Sequence, residues 1–370
     1  MKIIISGGGT GGHIFPALAI ADHIKMLQPA AEILFVGAIG KMEMERVPKA
    51  GYPIIGLPVV GFQRRMTIKN IRHNLLFPFK LLDSLLKARK IISDFRPDVV
   101  VGVGGYASGP ILRVAMSMGI PGIIQEQNSY AGVTNKLLAQ KAKKICVAYE
   151  EMDRFFPKEK IVNLGNPVRN DIWQNAISAE EGRKFYGLDA NKKTIVVIGG
   201  SLGAKTLNEA VAHSKVLLQN QPEVQVLWQC GKLYYDLLST TEVAGMKNVK
   251  LTAFLEKMDM AYAAADVVIS RAGALSISEI CLVAKPVILV PSPNVSEDHQ
   301  THNAMALVNN GAALLVKDSS AKEEMIQTTL DLLFDPVKKK ALTENIARLA
   351  KPKAADDIAK IVIEIGTRKA

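Results

Sequence analysis

The sequence predicts an α/β protein built from two doubly wound domains that face each other across a cleft. Residues 3–12 read Ile-Ile-Ile-Ser-Gly-Gly-Gly-Thr-Gly-Gly, and residues 194–203 read Thr-Ile-Val-Val-Ile-Gly-Gly-Ser-Leu-Gly. A buried-type strand therefore runs into a glycine-rich turn twice, about 190 residues apart. Strand and helix patterns alternate behind each copy, as in βα units that build a parallel sheet through right-handed crossovers. At 370 residues the chain exceeds one ordinary core. Two such domains suit a reaction between two phosphate-bearing molecules.

In the first half, strand-like runs fall at 2–6, 32–37, 98–103, 120–125 and 144–148, and helical patterns at 16–28, 79–94, 109–118 and 131–142. Pro16 reads as the start of the first helix, since proline suits a first helical turn. The pattern pauses at Gly165-Asn166-Pro167-Val168-Arg169, where Asn-Pro is a turn signal. This gives a first domain of 1–165 and a second of 166–351. The second half carries strands at 194–198, 224–228, 249–251, 266–269, 286–290 and 312–315. A last helix at 354–365 follows Lys351-Pro352, so 352–370 is expected to cross back onto the first domain.

Composition narrows the class. Cys146, Cys230 and Cys281 are far apart and show no CxxC or zinc spacing, which reads as core cysteines in a reducing compartment. The start, Met-Lys followed by a strand, has no signal-peptide pattern. Residues 99–124 carry Arg113 as their only charge, but six glycines and two prolines punctuate them into separate elements rather than a membrane span. Residues 1–150 hold 19 Lys and Arg against 9 Asp and Glu, a net of +10 of the chain's +11. A basic first half points to an anionic partner.

The loops carry the chemistry. Ligands of doubly wound sheets sit beyond the carboxyl ends of the strands. Gly7 to Gly12 lies between a strand and a helix, where backbone N–H groups bind anions. No acidic residue follows Val36-Gly37 to hold a dinucleotide ribose, and no Gly-Lys-Ser/Thr marks a P-loop. Gly102 to Pro110 is a second such loop, and Gly199 to Ala204 a third. A tight turn explains any one of them; three at strand ends point to phosphate binding. Ser270 to Glu279 follows a strand with small residues that let a backbone approach a ligand. A helix starting near Ala274 would aim its N-terminus at a diphosphate, and Glu279, a turn in, could accept both ribose hydroxyls. The alternative is a first-turn Glu favoured by the helix dipole. No Asp-x-Asp occurs, so a metal-bridged nucleotide diphosphate is not expected. Helix N-termini and a cation such as Arg169 would neutralise the leaving group instead.

Gly-Gly-Thr-Gly-Gly-His-Ile-Phe-Pro-Ala at 8–17, Gly-Gly-Tyr-Ala-Ser-Gly-Pro at 104–110 and Glu-Gln-Asn at 126–128 form an ordered set. It continues with Gly-Asn-Pro-Val-Arg at 165–169, Gly-Gly-Ser-Leu-Gly-Ala at 199–204, Ser-Arg-Ala-Gly-Ala-Leu at 270–275 and Asp-His-Gln-Thr-His-Asn-Ala at 298–304. Over nearly the whole chain this resembles the MurG family of bacterial N-acetylglucosaminyltransferases. The resemblance implies a GT-B glycosyltransferase fold of two Rossmann-like domains. It implies inverting, metal-independent transfer of GlcNAc from UDP-GlcNAc to the 4-hydroxyl of MurNAc in undecaprenyl-pyrophosphoryl-MurNAc-pentapeptide, lipid I, giving lipid II for peptidoglycan. It implies no cofactor, and a peripheral position on the cytoplasmic face of the inner membrane. By motif position, Thr10, Gly11 and Gly12 lie beside the donor, and Asn128 and Gln300 hold the GlcNAc hydroxyls. Arg169 and Ser201 contact nucleotide or diphosphate, and Leu255 meets the uracil. Ala274, Leu275, Ser276, Ile277, Ser278 and Glu279 form the diphosphate and ribose site. Gly9, Thr10, Gly104, Gly105, Tyr106 and Ser108 are assigned to the acceptor diphosphate.

His13 follows the first loop, and an imidazole titrates near the working pH, so it is the candidate base for the acceptor proton. The alternative is a histidine that caps the turn or binds a substrate oxygen. His299 and His302 beside Asp298 read as a helix start, because no third metal ligand is suggested. Arg64, Arg65, Lys69, Arg72 and Lys80 are interleaved with Leu75, Leu76, Phe77 and Phe79. They read either as a solvated amphipathic helix or as a dock for an anionic membrane. At ~1 kcal/mol per basic residue, five supply roughly 5 kcal/mol, a reversible attachment.

Two other enzyme readings share the fold: a UDP-GlcNAc 2-epimerase, or another GT-B lipid glycosyltransferase. The basic-apolar segment and the Gly104–Pro110 loop argue against the epimerase. A nucleic-acid partner is not expected, since aromatics are only 6% and no stacking strip or binding motif appears.

Overall fold

A computed structural model describes residues 1–59, 77–200 and 202–368, without the side chains of 77–79 and 296. The chain divides into two compact units, Met1–Arg169 with Pro352–Ala370, and Asn170–Lys351. The first division falls after Arg169, where the sequence reading placed it after 165, so Arg169 belongs with the first unit.

The first unit holds parallel strands β1 (Lys2–Ser6), β2 (Glu32–Ala38), β3 (Ile54–Leu57), β4 (Val99–Gly102), β5 (Gly122–Glu126), β6 (Lys144–Val147) and β7 (Ile161–Asn163). Their order is β3-β2-β1-β4-β5-β6-β7. Helices α1 (Gly11–Leu27), α2 (Glu43–Lys49), α3 (Phe77–Phe95), α4 (Ser108–Ser117) and α5 (Val133–Leu138) connect them. Ile3–Ile5 and Val99–Val101 are fully buried. That accounts for their unbroken apolar runs, since both faces of a parallel sheet are covered by helices.

The second unit holds parallel strands β8 (Lys193–Ile198), β9 (Val224–Gln229), β10 (Val249–Thr252), β11 (Val267–Ser270), β12 (Val287–Leu289) and β13 (Leu314–Leu315) in the order β10-β9-β8-β11-β12-β13. Among its helices are α6 (Lys205–His213), α7 (Met258–Ala264), α8 (Ala274–Val283) and α9 (His299–Val308). The last helix, α10 (Ala354–Thr367), lies in the first unit against α1 and β4. Its Ile358, Ala359 and Val362 are buried in the same cluster as Ile5, Ile20 and Val101.

Strand order reverses between β1 and β4 in one sheet and between β8 and β11 in the other. Such switch points open a crevice beyond the strand ends. The glycine-rich loops follow these four strands.

Several elements differ from the sequence reading. The first helix starts at Gly11, not Pro16, and Pro16 lies inside it. The lost hydrogen bond falls on the Gly12 carbonyl, close enough to the helix start to be tolerated. The expected helix 131–142 shortens to Val133–Leu138. Elements α2, β3 and β7 were not anticipated, being too short for a periodic signal.

Candidate functional site

The first group of site residues is built where β1 and β4 end together. The loop after β1 brings Gly8 against the loop after β4 so closely that a Cβ on Gly105 would overlap the Gly8 carbonyl. Gly104 and Gly105 have φ values of 90° and 83°, a backbone that favours glycine. A Cβ on Gly104 would lie 2.9 Å from His13 Nε2 and 3.5 Å from Gln127 Oε1. The ring edge and the amide oxygen therefore flank one backbone surface.

His13 is held from its other side. Its Nδ1 is 3.0 Å from the Gly8 carbonyl oxygen and 3.2 Å from Thr10 Oγ1. A carbonyl only accepts, so Nδ1 carries the proton and Nε2 keeps a lone pair. Desolvation lowers the imidazole's proton affinity, opposed by the Glu126 charge, the Gly8 carbonyl and the Glu43 charge. The net shift is downward, which leaves a neutral ring at neutral pH with its accepting nitrogen at Gly104. That is the state a general base needs.

In α1, the His13 and Ile14 N–H groups both reach the Thr10 carbonyl. The Gly11 and Gly12 N–H groups have no intrahelical partner, and Thr10 is exposed. Two groups assigned to the acceptor diphosphate have partners within the protein. The Gly9 N–H already donates to Glu43 Oε2 at 2.8 Å, so it is not open to a phosphate. Ser108 is buried and its hydroxyl donates to the Gly105 carbonyl at 3.0 Å, which shapes the loop rather than offering a donor. Tyr106, at 61% exposure, does face outward.

Asn128 is positioned by Glu126. One carboxylate oxygen accepts the Asn128 N–H at 3.0 Å, and the other accepts Gly132 N–H at 2.9 Å and Asn135 Nδ2 at 2.8 Å. Glu126 is 2% exposed, so these bonds satisfy a buried acceptor. The Asn166 amide accepts from Gln125 Nε2 and donates to the Gln127 carbonyl, both at 3.0 Å. That ties the Gly165–Arg169 segment to β5. Arg169 stands over the Phe15 ring at 5.0 Å, beside the start of α1.

The second group lies after β8 and β11. Gln229 clamps the β8 loop, its Oε1 accepting Gly199 N–H at 3.0 Å and its Nε2 donating to the Gly200 carbonyl at 2.8 Å. Ser201 lies outside the described residues. Beyond β11, Gly273 caps α8 with extended backbone and no side-chain cap. Intrahelical bonding opens with Ile277 N–H to the Gly273 carbonyl. The first turn, Ala274, Leu275 and Ser276, is a helix N-terminus, the kind of backbone end that suits an anion. Ser278 points back, its hydroxyl donating to the Ala274 carbonyl.

Glu279 accepts a hydrogen bond from the Tyr262 hydroxyl at 2.9 Å. Burial and the Glu279 charge hold that phenol neutral, well above its ordinary range. Gln300, in α9, accepts Ser292 N–H on its Oε1 at 2.9 Å, which leaves its Nε2 facing the other way. Asn303, one turn further, donates to the Ala272 carbonyl. Leu255 is buried, so its backbone rather than its side chain is what it can present to a ligand. Arg271 is turned inward to Asp318 at 2.5 Å, bracing the β11 loop. Two positive-φ residues, Glu297 and Asp298, precede α9. His299 opens that helix, consistent with the helix-start reading, and no metal-ligating cluster occurs among the described residues.

Comparison with known proteins decides the family. Residues 3–147 match the glycosyltransferase family 28 N-terminal domain, and residues 194–360 match the family 28 C-terminal domain. A Bacteroides fragilis UDP-N-acetylglucosamine--N-acetylmuramyl-(pentapeptide) pyrophosphoryl-undecaprenol N-acetylglucosamine transferase is 55% identical over 99% of this chain and 96% of its own. The chain belongs to the MurG family of family 28 glycosyltransferases.

Among solved structures, this MurG-family transferase resembles Acinetobacter baumannii MurG with a TM-score of 0.76 at 28% identity, covering 98% of this chain and 99% of that one. A UDP-N-acetylglucosamine 2-epimerase, 14% identical with a TM-score of 0.66 over 100% of this chain and 98% of that one, shares the fold alone. The fold is GT-B.

Sequence reasoning quoted Glu126 inside a motif without giving it a task, and missed Glu43, Tyr262 and Gln229. Only Glu126 had a local signal, the Glu-Gln-Asn run. The lowered proton affinity of His13 is directly measurable. An NMR titration of its ring carbons should give a midpoint below the ordinary imidazole value of about 6.5. A midpoint above that value would contradict the burial argument.

Proposed function

We propose that the protein transfers N-acetylglucosamine from UDP-N-acetylglucosamine to the MurNAc 4-hydroxyl of undecaprenyl-pyrophosphoryl-MurNAc-pentapeptide, forming lipid II. The observation that carries this is near-full-length identity of 55% to the B. fragilis enzyme, whose name states that donor and acceptor. The geometry of His13 and α8 supplies groups suited to the chemistry.

In this reading the second unit binds the donor. The α8 N-terminus takes the diphosphate, Glu279 accepts the ribose hydroxyls, and Tyr262 keeps its carboxylate in place. Leu255 lies by the uracil, and Gln300 reads the sugar hydroxyls. In the first unit, the exposed Thr10 and Tyr106 and the backbone of Gly104–Gly105 surround the acceptor diphosphate. His13 Nε2 takes the acceptor's hydroxyl proton as the new C1–O bond forms and the bond from C1 to the UDP oxygen breaks, the electron pair leaving with UDP. Single displacement inverts the anomeric centre. Leaving-group charge falls to the helix N-termini and Arg169 rather than a metal, in keeping with the lack of Asp-x-Asp.

The acceptor is a lipid, and no helix of the described residues is long and apolar enough to cross a membrane. We place docking on the first unit. Residues 64–76, with Arg64, Arg65, Lys69, Arg72, Leu75 and Leu76, lie outside the described residues, as do the side chains of Phe77 and Phe79. The helix that follows, α3, exposes Leu81, Leu82 and Leu86 beside Lys87, Arg89 and Lys90. Apolar residues among cations on one helix surface suit shallow insertion at an anionic interface.

The direct test is incubation of the pure protein with labelled UDP-GlcNAc and a short-chain lipid I analogue, with and without EDTA. Label should reach the lipid in both conditions. An epimerised nucleotide sugar with no labelled lipid would overturn the reading, and loss of transfer in EDTA, restored by magnesium, would overturn the metal-free part.

Calorimetry separates the donor contacts. Glu279→Ala should weaken UDP and UDP-GlcNAc alike, by roughly tenfold or more for a lost charged hydrogen bond. Gln300→Ala should weaken UDP-GlcNAc and leave UDP within about twofold, since only the sugar contact is removed. Equal losses for both ligands in the Gln300 variant would refute its role.

The docking surface predicts binding to vesicles of anionic lipid that weakens with salt, because screening acts within about 8 Å at physiological ionic strength. Replacing Leu82, Leu86, Lys87 and Lys90 with Gln should reduce that binding while sparing turnover of a soluble acceptor. Parent-like vesicle binding would exclude α3 as the dock.

A further inference from the structure

Glu43 is an acidic residue in the interior of a unit that is otherwise strongly basic. It is 1% exposed, and no ion pair accompanies it among the described residues. Burying a carboxylate without partners is expensive. Here both oxygens are used: Oε1 accepts the Ala38 N–H at the end of β2, and Oε2 accepts the Gly9 N–H in the loop after β1, each at 2.8 Å. Charge-assisted bonds of this kind are the stronger class.

The surrounding backbone is shaped to admit that side chain. A Cβ on Gly8 would overlap the Glu43 carboxyl group, and one on Gly37 would overlap its Cγ. Two glycines on adjacent strand ends thus leave the slot Glu43 fills from α2. The residue spans 34 positions in sequence to reach Gly9. On the far side of the Gly8–Gly9 peptide, the Gly8 carbonyl receives His13 Nδ1 at 3.0 Å. One face of a two-residue backbone segment is therefore gripped by a carboxylate and the other orients the imidazole.

We infer that Glu43 is a positioning residue for the transfer step, clamping Gly9 and Ala38 so that the Gly8 carbonyl fixes the ring of His13 with Nε2 available. The inference rests on the reading of His13 as the base. Glu43 also has an electrostatic part. The carboxylates acting on the ring are Glu126 from β5 and Glu43 from α2, both favouring its protonated form. Arg169, the nearby cation, stands on Phe15 of the same helix. As the ring takes the acceptor proton, two fixed negative charges stabilise the imidazolium.

Glu43→Gln tests this in the full-length enzyme. Glutamine keeps the shape but has one acceptor, and its NH2 group would oppose an N–H donor, so one of the two clamps is lost. We expect kcat to fall about 10- to 100-fold, with KM for UDP-GlcNAc within about twofold, because the donor contacts are elsewhere. We also expect the acid limb of the pH profile to move to lower pH, since a charge that raises the ring's proton affinity is gone. Glu43→Asp keeps the charge but not the reach, so its rate should fall while its acid limb stays at the parent's position.

A Glu43→Gln enzyme with parental kcat, or with reduced kcat and an unmoved acid limb, would overturn the inference. So would an Asp variant whose limb moves as the Gln variant's does. His13→Asn serves as the reference for the underlying reading. It should abolish the acid limb, and if that variant keeps the parent's limb, the assignment of His13 as base has failed. If His13→Asn loses the limb while Glu43→Gln keeps it, the base stands and the role given to Glu43 has failed.

Discussion

The first unit is organised around a contact between two backbones. Beyond β1 and β4 the chain turns twice within a space that admits no side chain, and the Gly105 α-carbon sits against the Gly8 carbonyl. Strand order creates the meeting, because β1 and β4 are neighbours in the sheet although Val99, where β4 starts, lies 93 positions after Ser6, where β1 ends, with helices intervening. The absence of side chains then lets a backbone surface, rather than a rotamer, define what lies above it. His13 projects onto that surface from the first turn of α1, and Gln127 reaches it from the end of β5. Most of the proposed acceptor-side chemistry depends on those backbones staying in register.

Buried carboxylates keep them there. Glu43 ties the first loop to β2, and Glu126 ties the segment through Asn128 and Gly132 to Asn135. In the second unit Arg271 and Asp318 brace the loop after β11, and Tyr262 holds Glu279. The strategy is the same in both halves. His13, Asn128, Glu279 and Gln300 are each tied to a second group of the protein. Preorganised polar groups of this kind act on developing charge without reorganising at the moment of reaction.

What the sequence made legible was local. Apolar runs such as Ile3–Ile5 and Val99–Val101 marked the buried strands, because a parallel sheet covered on both faces needs no alternation. The glycine-rich turns announced the carboxyl ends of the strands, where ligands of doubly wound sheets generally sit. The start of α1 was misplaced because Pro16 is a strong local signal, whereas the helix is already in progress at Gly11. Glycines carry little helical propensity to advertise it. The partners of the site residues were invisible for a different reason. Glu43 lies 34 positions from Gly9, and Tyr262 lies 17 from Glu279, so only the assembled sheet brings them together. The same distance hid the engagement of the Gly9 N–H by Glu43. A motif shows which groups a loop contains but not which are already engaged behind it.

The account turns on the protonation pattern of one ring, with the Gly8 carbonyl as acceptor for Nδ1 and Nε2 left unprotonated. Long-range nitrogen–proton correlation NMR on protein labelled at histidine reads that pattern directly at neutral pH. The account predicts that His13 is neutral with its proton on Nδ1. A proton on Nε2, or an imidazolium with both nitrogens protonated, would contradict it.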